Sequence, residues 1–367
     1  MLRKNNSPYL RTWIFIFLLA LTAAIVGFAT RYYREKYPIS SALVEPIIQK
    51  SEEVESGLAS PSAELPLAQK MAVPLLIDSD HDLAADLAWM AERKFGAITI
   101  FGLSVSKKQM NSVNEQLALY PDWNPLLIVD HEGGTVQRLS GEGFTKLPSW
   151  QEICSLPEEE QVSLLDASFS ELKEVGIKIV LAPVVDLGPS PVLKSRVCSS
   201  DPKIVVAAAK RFIAQAKKYN IQPVLKHYPG LGTAKFDSHK SIEVIQPTEA
   251  DLQVFSDLLD LYPDLSVMIA HVGIDNQRSD LPCSLSSSCI GSIKKLYPDA
   301  YIISDALEMK GALELPDGSE RSLSEATEAA MDAGTDLLLY GSPVSYDDID
   351  TVLNELNGHN YQKPIEF

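Results

Sequence analysis

Basic residues are scarce in this chain of 367 residues: 32 lysines and arginines face 49 aspartates and glutamates, a net charge of −17. The shortage deepens beyond residue 36. Residues 1–36 hold six basic residues and one acidic one (Glu35), leaving 26 basic and 48 acidic residues in the body, a net of −22. A body that acidic repels a phosphate backbone, which argues against nucleic acid as a partner. The four cysteines (Cys154, Cys198, Cys283, Cys289) form no CxxC spacing and the six histidines form no HxH pair. The signatures of a structural zinc site and of a metal-dependent barrel are therefore missing, and no metal or other cofactor is expected. The cysteines read either as free buried thiols or, in an exported protein, as two disulfides with three possible connectivities. GxGxxG is also missing. The first apolar run is followed by Asp78-Ser79-Asp80-His81 rather than by a glycine-rich phosphate loop, which counts against a doubly wound nucleotide-binding sheet.

One long stretch lacks charge altogether. From Thr12 to Thr30 there are 19 uncharged residues, flanked by Arg3, Lys4 and Arg11 before and Arg31, Arg34 and Lys36 after. At ~1.5 Å per residue it reaches ~29 Å, about one hydrocarbon core. Residues 1–36 are expected to be a membrane anchor or, with Gly27-Phe28-Ala29 as a small-x-small triplet, a cleaved export signal. Three basic residues on each side leave orientation undecided by charge count, and the N-terminal amine with Glu35 tips it towards N-inside, so the rest of the chain is expected outside the cytoplasm as an anchored domain, or secreted if the segment is cleaved. Residues 37–66, with Pro38, Pro46, Pro61 and Pro66 and no sustained apolar period, read as a tether.

From residue 67 a unit repeats: a short β-branched apolar run, then a helical pattern. Strands are expected at 72–77, 97–101, 126–130, 178–185, 222–226, 266–271, 300–304 and 336–340. Their near-continuous apolar content suits strands covered on both faces. Helices are expected at 158–175, 202–219 and 324–333, the last capped by Ser322 or Ser324 and stopped by Gly334. Eight such units predict an α/β fold of the (β/α)₈ TIM-type barrel class over residues 67–367. Four runs end in ionisable residues: Asp130, His131 and Glu132; Lys226 and His227; His271; and Asp305. Unpaired buried charge is costly, so four such endings at the carboxyl side of a barrel point to an active site. A carboxylate working with a second carboxylate or an imidazole can hydrolyse glycosides.

Three segments carry a resemblance: DHEGGTVQRL (130–139), KHYPGLGTAKFDSH (226–239) and SDALEM (304–309). They resemble family 3 glycoside hydrolases, more narrowly the single-domain β-N-acetylglucosaminidase (β-N-acetylhexosaminidase) branch. The segments LAPVVDLGP (181–189), SRVCSSDPKIV (195–205) and MIAHVGID (268–275) fit as well. The resemblance implies Asp305 as the nucleophile of a retaining mechanism, and His239, held by Asp237, as general acid/base. It implies Asp130, Arg138, Arg196, Lys226 and His227 as sugar-binding residues, with Glu132 and His271 supporting them. The substrate implied is a carbohydrate with a terminal N-acetylglucosamine, from cell-wall or chitin-type fragments. A β-glucosidase, a glycoside phosphorylase, or an inactive membrane-tethered sugar-binding protein are the alternatives. The sequence departs from the branch pattern at Leu231, Thr233 and Ala234, where GHGDT becomes GLGTA. Cys198 stands where Gly or Phe is more usual, with no consequence expected.

Overall fold

The computed structural model describes residues 65–77, 82–232, 234, 243–274, 281–315 and 317–356. Eight parallel strands form the centre: β1 (Met71–Leu76), β2 (Ala97–Phe101), β3 (Leu126–Val129), β4 (Ile177–Val180), β5 (Gln222–Tyr228), β6 (Ser266–Ile269), β7 (Tyr301–Ser304) and β8 (Leu338–Leu339). Each pairs with its neighbours in chain order, β8 lies against β1, and the bridge Ile303↔Leu337 joins β7 to the start of β8. The ring thereby closes into the expected barrel.

The helices around it are α1 (Leu83–Arg93), α2 (Lys107–Leu117), α3 (Glu158–Glu174), α4 (Pro202–Lys218), α5 (Glu249–Leu259), α6 (Ser287–Leu296), α7 (Leu323–Asp332) and α8 (Tyr346–Leu356). Their starts follow capping chemistry. Ser106, Thr248 and Ser322 each accept from the backbone at N3 and receive a reciprocal side chain there, satisfying amides a helix start leaves unpaired.

Period-two alternation along the strands divides the core in two. Ala72, Ala97, Ile128, Ile179, Val224, Met268, Ile303 and Leu339 fill the barrel interior. Val73, Leu75, Ile98, Ile100, Leu127, Val129, Val267 and Ile302 pack outward against the helices. The expected strand at 178–185 is corrected: the ladder covers only Ile177–Val180, and beyond it one isolated bridge, Val184↔Lys226, continues the pairing. Pro183 has no N–H and joins the pairing only through its carbonyl, which accepts from Lys226 N–H at 3.3 Å.

The cysteines pair as Cys154–Cys198 and Cys283–Cys289, so the free-thiol alternative is set aside. Among the described residues, no helix is long and apolar enough to cross a membrane. The uncharged stretch 12–30 and, of the tether 37–66, all but its last two residues lie outside the described residues.

Candidate active site

The motif around Asp130 folds as a hairpin. After β3 the chain runs out along His131–Gly133 and returns along Val136–Gln137 as an antiparallel pair. Gly133 and Gly134 make the turn at φ 96° and 59°, where a side chain is disfavoured. A Cβ on Gly133 would also lie 2.3 Å from the Pro148 carbonyl oxygen. The return brings Arg138 beside Asp130, with its N–H donating to the Asp130 carbonyl at 3.1 Å. Buried Gln137 holds the following loop: its amide donates to the carbonyls of Leu139 and Thr145 and accepts from Leu147 N–H.

At the carboxyl ends of the strands the predicted binding residues meet in one ionic network. Lys226 Nζ lies 3.2 Å from Asp130 Oδ1 and 2.5 Å from Glu132 Oε1. Arg138 Nη2 lies 3.5 Å from Asp130 Oδ2, and its guanidinium sits 5.2 Å from the Phe101 ring centroid. Arg196 grips Glu132 with two bonds, Nε to Oε2 at 2.8 Å and Nη2 to Oε1 at 2.9 Å. Such a fork is the strongest geometry available to the pair. Burial alone would raise the Glu132 carboxyl. Lys226 and Arg196 overcome it and hold Glu132 down at about 2. Burial alone would lower Lys226, and Glu132 with Asp130 keeps it raised instead. Both Glu132 oxygens are engaged, so this carboxylate supports the site and is not poised to transfer protons.

Asp305 stands at the end of β7. Its backbone N–H donates to Ile269 carbonyl at 3.1 Å, and its Oδ1 accepts from Ala306 N–H at 2.8 Å. Burial would raise its carboxyl, yet the net shift is downward, through the imidazoles of His271 and His227, the Ala306 amide and Lys226. The chain is thus arranged to keep an ionised carboxylate at the carboxyl end of this strand. His271 steadies that segment: Nε2 donates to the Ala306 carbonyl at 2.8 Å, and Nδ1 meets the Ser284 hydroxyl at 2.6 Å.

Two expectations change, and one residue joins the site. His131 does not join the site. Its Nε2 bonds Ser168 on α3 at 2.7 Å, and burial lowers it to about 4, keeping it neutral. Cys198, expected to be without consequence, ties the segment carrying Arg196 to Cys154 on the short helix Trp150–Ser155. Asp186, outside the expected set, ends an apolar run, APVVD, as the other four do. Its Oδ2 accepts from His227 Nδ1 at 2.8 Å and His227 N–H at 3.1 Å, and its Oδ1 from Leu231 N–H at 2.6 Å. Asp237 and His239 lie outside the described residues. Among the described residues, no group of three or more His, Cys, Asp or Glu is arranged to hold a metal ion.

A sequence model described as "Glycosyl hydrolase family 3 N terminal domain" matches residues 67–363. A protein named beta-hexosaminidase from Hydrogenovibrio crunogenus is 35% identical over 243 residues, covering 61% of this chain and 65% of that one. One of the same name from Haemophilus influenzae is 38% identical over 229 residues, covering 59% and 63%. Both matches span less than two thirds of the relative. Among solved structures, a β-N-acetylhexosaminidase from Beutenbergia cavernae superposes with a TM-score of 0.68 at 22% identity, covering 81% of this chain and 94% of that one.

Proposed function

Because the chain belongs to glycosyl hydrolase family 3, we propose that it is a retaining exo-β-N-acetylglucosaminidase. It removes terminal non-reducing N-acetylglucosamine from cell-wall or chitin-type oligosaccharides. The observation that carries this reading is Asp305, a carboxylate at the end of a barrel strand kept ionised by cationic and N–H neighbours. An ionised carboxylate is the nucleophile the double displacement needs.

In the first step an Asp305 oxygen attacks the anomeric carbon as the bond to the aglycone oxygen breaks, and His239 gives that oxygen its proton. In the second step His239 takes a proton from water, which attacks the anomeric carbon and releases Asp305. Asp237, two residues before His239 in sequence, orients the imidazole. Asp130, Arg138, Arg196, Lys226 and His227 hold the sugar hydroxyls. Their support is the single network joining Arg138, Asp130, Lys226, Glu132 and Arg196, which fixes donors and acceptors before substrate arrives.

The catalytic unit is proposed to work outside the cytoplasm, held to the membrane by residues 12–30 or released by cleavage. The two disulfides support this placement, since such bonds persist in oxidising compartments.

The test is hydrolysis of nitrophenyl β-N-acetylglucosaminide and β-glucoside, each with and without phosphate, followed by mass analysis of the protein after an activated 2-deoxy-2-fluoro glycoside. Preference for the N-acetyl sugar, water as acceptor and a glycosyl adduct on Asp305 are expected. Preference for glucoside or a phosphate requirement overturns the substrate assignment, and absence of turnover on both sugars overturns the enzyme reading.

A further inference from the structure

His227 stands between two groups that each permit only one role. On one side its Nδ1 lies 2.8 Å from Asp186 Oδ2. Asp186 is fully enclosed and already accepts backbone N–H groups at both oxygens, from His227 at Oδ2 and from Leu231 at Oδ1. A carboxylate so occupied accepts and does not donate. On the other side His227 Nε2 lies 3.4 Å from Arg196 Nη2. A guanidinium only donates. An imidazole with a single ring proton therefore carries it on Nδ1 and turns the Nε2 lone pair to the Arg196 side, where the sugar-binding residues converge.

The same carboxylate brackets the turn that presents His227. Gly230 N–H donates to the His227 carbonyl at 2.8 Å, closing the turn internally, while Asp186 holds N–H groups at residues 227 and 231 on its two flanks. Gly230 sits at φ 125°, and a Cβ on Gly232 would lie 1.9 Å from the Leu187 carbonyl oxygen, so the segment is pressed against the chain that carries Asp186. Neither the expected sugar-binding set nor the expected catalytic pair includes this residue.

We propose that Asp186 is the positioning residue for His227: its carboxylate fixes an imidazole proton on Nδ1, leaves the single Nε2 lone pair, which Arg196 Nη2 meets only at 3.4 Å, as the acceptor that a sugar hydroxyl takes over, and clamps the 227–231 turn that aims the ring. The sugar-contact part of this inference rests on the proposed glycosidase reading. The tautomer part does not.

Asp186→Asn keeps the shape and removes the function. One amide oxygen can serve the Leu231 side, but the NH₂ then faces the His227 N–H and Nδ1. The ring must move its proton to Nε2, which then opposes the Arg196 donor. Orientation of the second group in such a pair by the first is a large effect in other Asp–His couples.

The experiment has two parts. In the full chain with ¹⁵N-labelled histidine, imidazole nitrogen shifts assigned by the loss of signals in His227→Phe should show Nδ1 protonated and Nε2 bare. An Nε2–H tautomer overturns the proposal, whatever the enzyme hydrolyses. In the second part, Asp186→Asn should lower kcat/KM on nitrophenyl β-N-acetylglucosaminide about 10- to 100-fold with melting temperature retained. In the His227→Phe background the same change should cost less than about 3-fold, because its route of action is gone. A full, multiplicative loss in that background, or no loss in the parent, overturns it. If Asp186→Asn does not fold, the nitrogen shifts of the parent decide alone. If neither parent nor variants hydrolyse any glycoside, the activity reading fails and the shifts still test the clamp.

Discussion

Glu132 gives the sharpest test of how the site is held. The perturbation is Glu132→Gln, which keeps the shape and removes the charge between Lys226 and Arg196. Folding carries the carboxyl from its ordinary 4.5 down to about 2. Each pH unit of such a difference corresponds to about 1.4 kcal/mol, so the native state gains about 3 kcal/mol from ionised Glu132 at neutral pH. An independent estimate agrees in size: removing one partner from a buried pair costs about 3 to 5 kcal/mol, because the other charge is left uncompensated. Here two cations would be left, with Asp130 still 3.2 Å from Lys226.

The sign fixes the pH window. A carboxyl whose native pKa is depressed contributes its stability fully above its unfolded value and loses it as pH falls through the native value. The contribution is therefore complete above about pH 5, falls below half by about pH 3 and vanishes below about pH 2. Urea unfolding of the parent and Glu132→Gln at pH 7 and pH 3, read by fluorescence, measures both ends. The gap between the two proteins should be about 3 kcal/mol at pH 7 and less than half of that at pH 3. A gap below about 1 kcal/mol at pH 7, or one that does not change with pH, refutes the network argument.

Asp305→Ala should cut turnover by about 10⁴-fold or more while leaving the melting temperature near the parent's, as measured by nitrophenol release and calorimetry. His239→Ala should lose about 10²-fold more on a sugar-linked substrate than on an activated aryl glycoside, because only the poor leaving group needs the proton, and azide should partly restore it. Equal losses on both substrates without azide rescue would reduce His239 to a binding residue. The Cys154–Cys198 bond joins residues 44 apart, whereas Cys283–Cys289 joins residues 6 apart. On chain-entropy grounds losing the long bridge should cost about 4 kcal/mol and the short one about 2. Thermal melts of Cys154→Ser and Cys289→Ser should therefore rank in that order.

The barrel was legible because strands covered on both faces leave continuous apolar runs, and eight of them with helical patterns between admit few other packings. The run at 178–185 misled for the same reason: its apolar content continues past Val180, but hydrophobicity does not report that the pairing thins there to one isolated bridge, Val184↔Lys226. The cysteine pairings were illegible, since a separation of 44 residues is closed only by the fold. The site divided more finely. Asp130, Lys226, His227 and Asp305 were visible as charges ending apolar runs, and Asp186 follows the same rule in APVVD but was passed over as a connection.

The rule of charged strand ends over-counted at His131, and elementary geometry says why. In an extended segment successive side chains point to opposite faces, so Asp130 and Glu132 share one face and His131 takes the other. The structure has that division: the two carboxylates meet Lys226, while His131 turns to Ser168 on α3. The departure at Leu231 yields to a similar argument. What the turn requires there is the backbone N–H that Asp186 accepts, and every residue except proline supplies it. The side chain is buried among apolar neighbours, so a leucine where the branch has histidine leaves the Asp186 clamp intact and moves the difference to whatever the histidine would have touched.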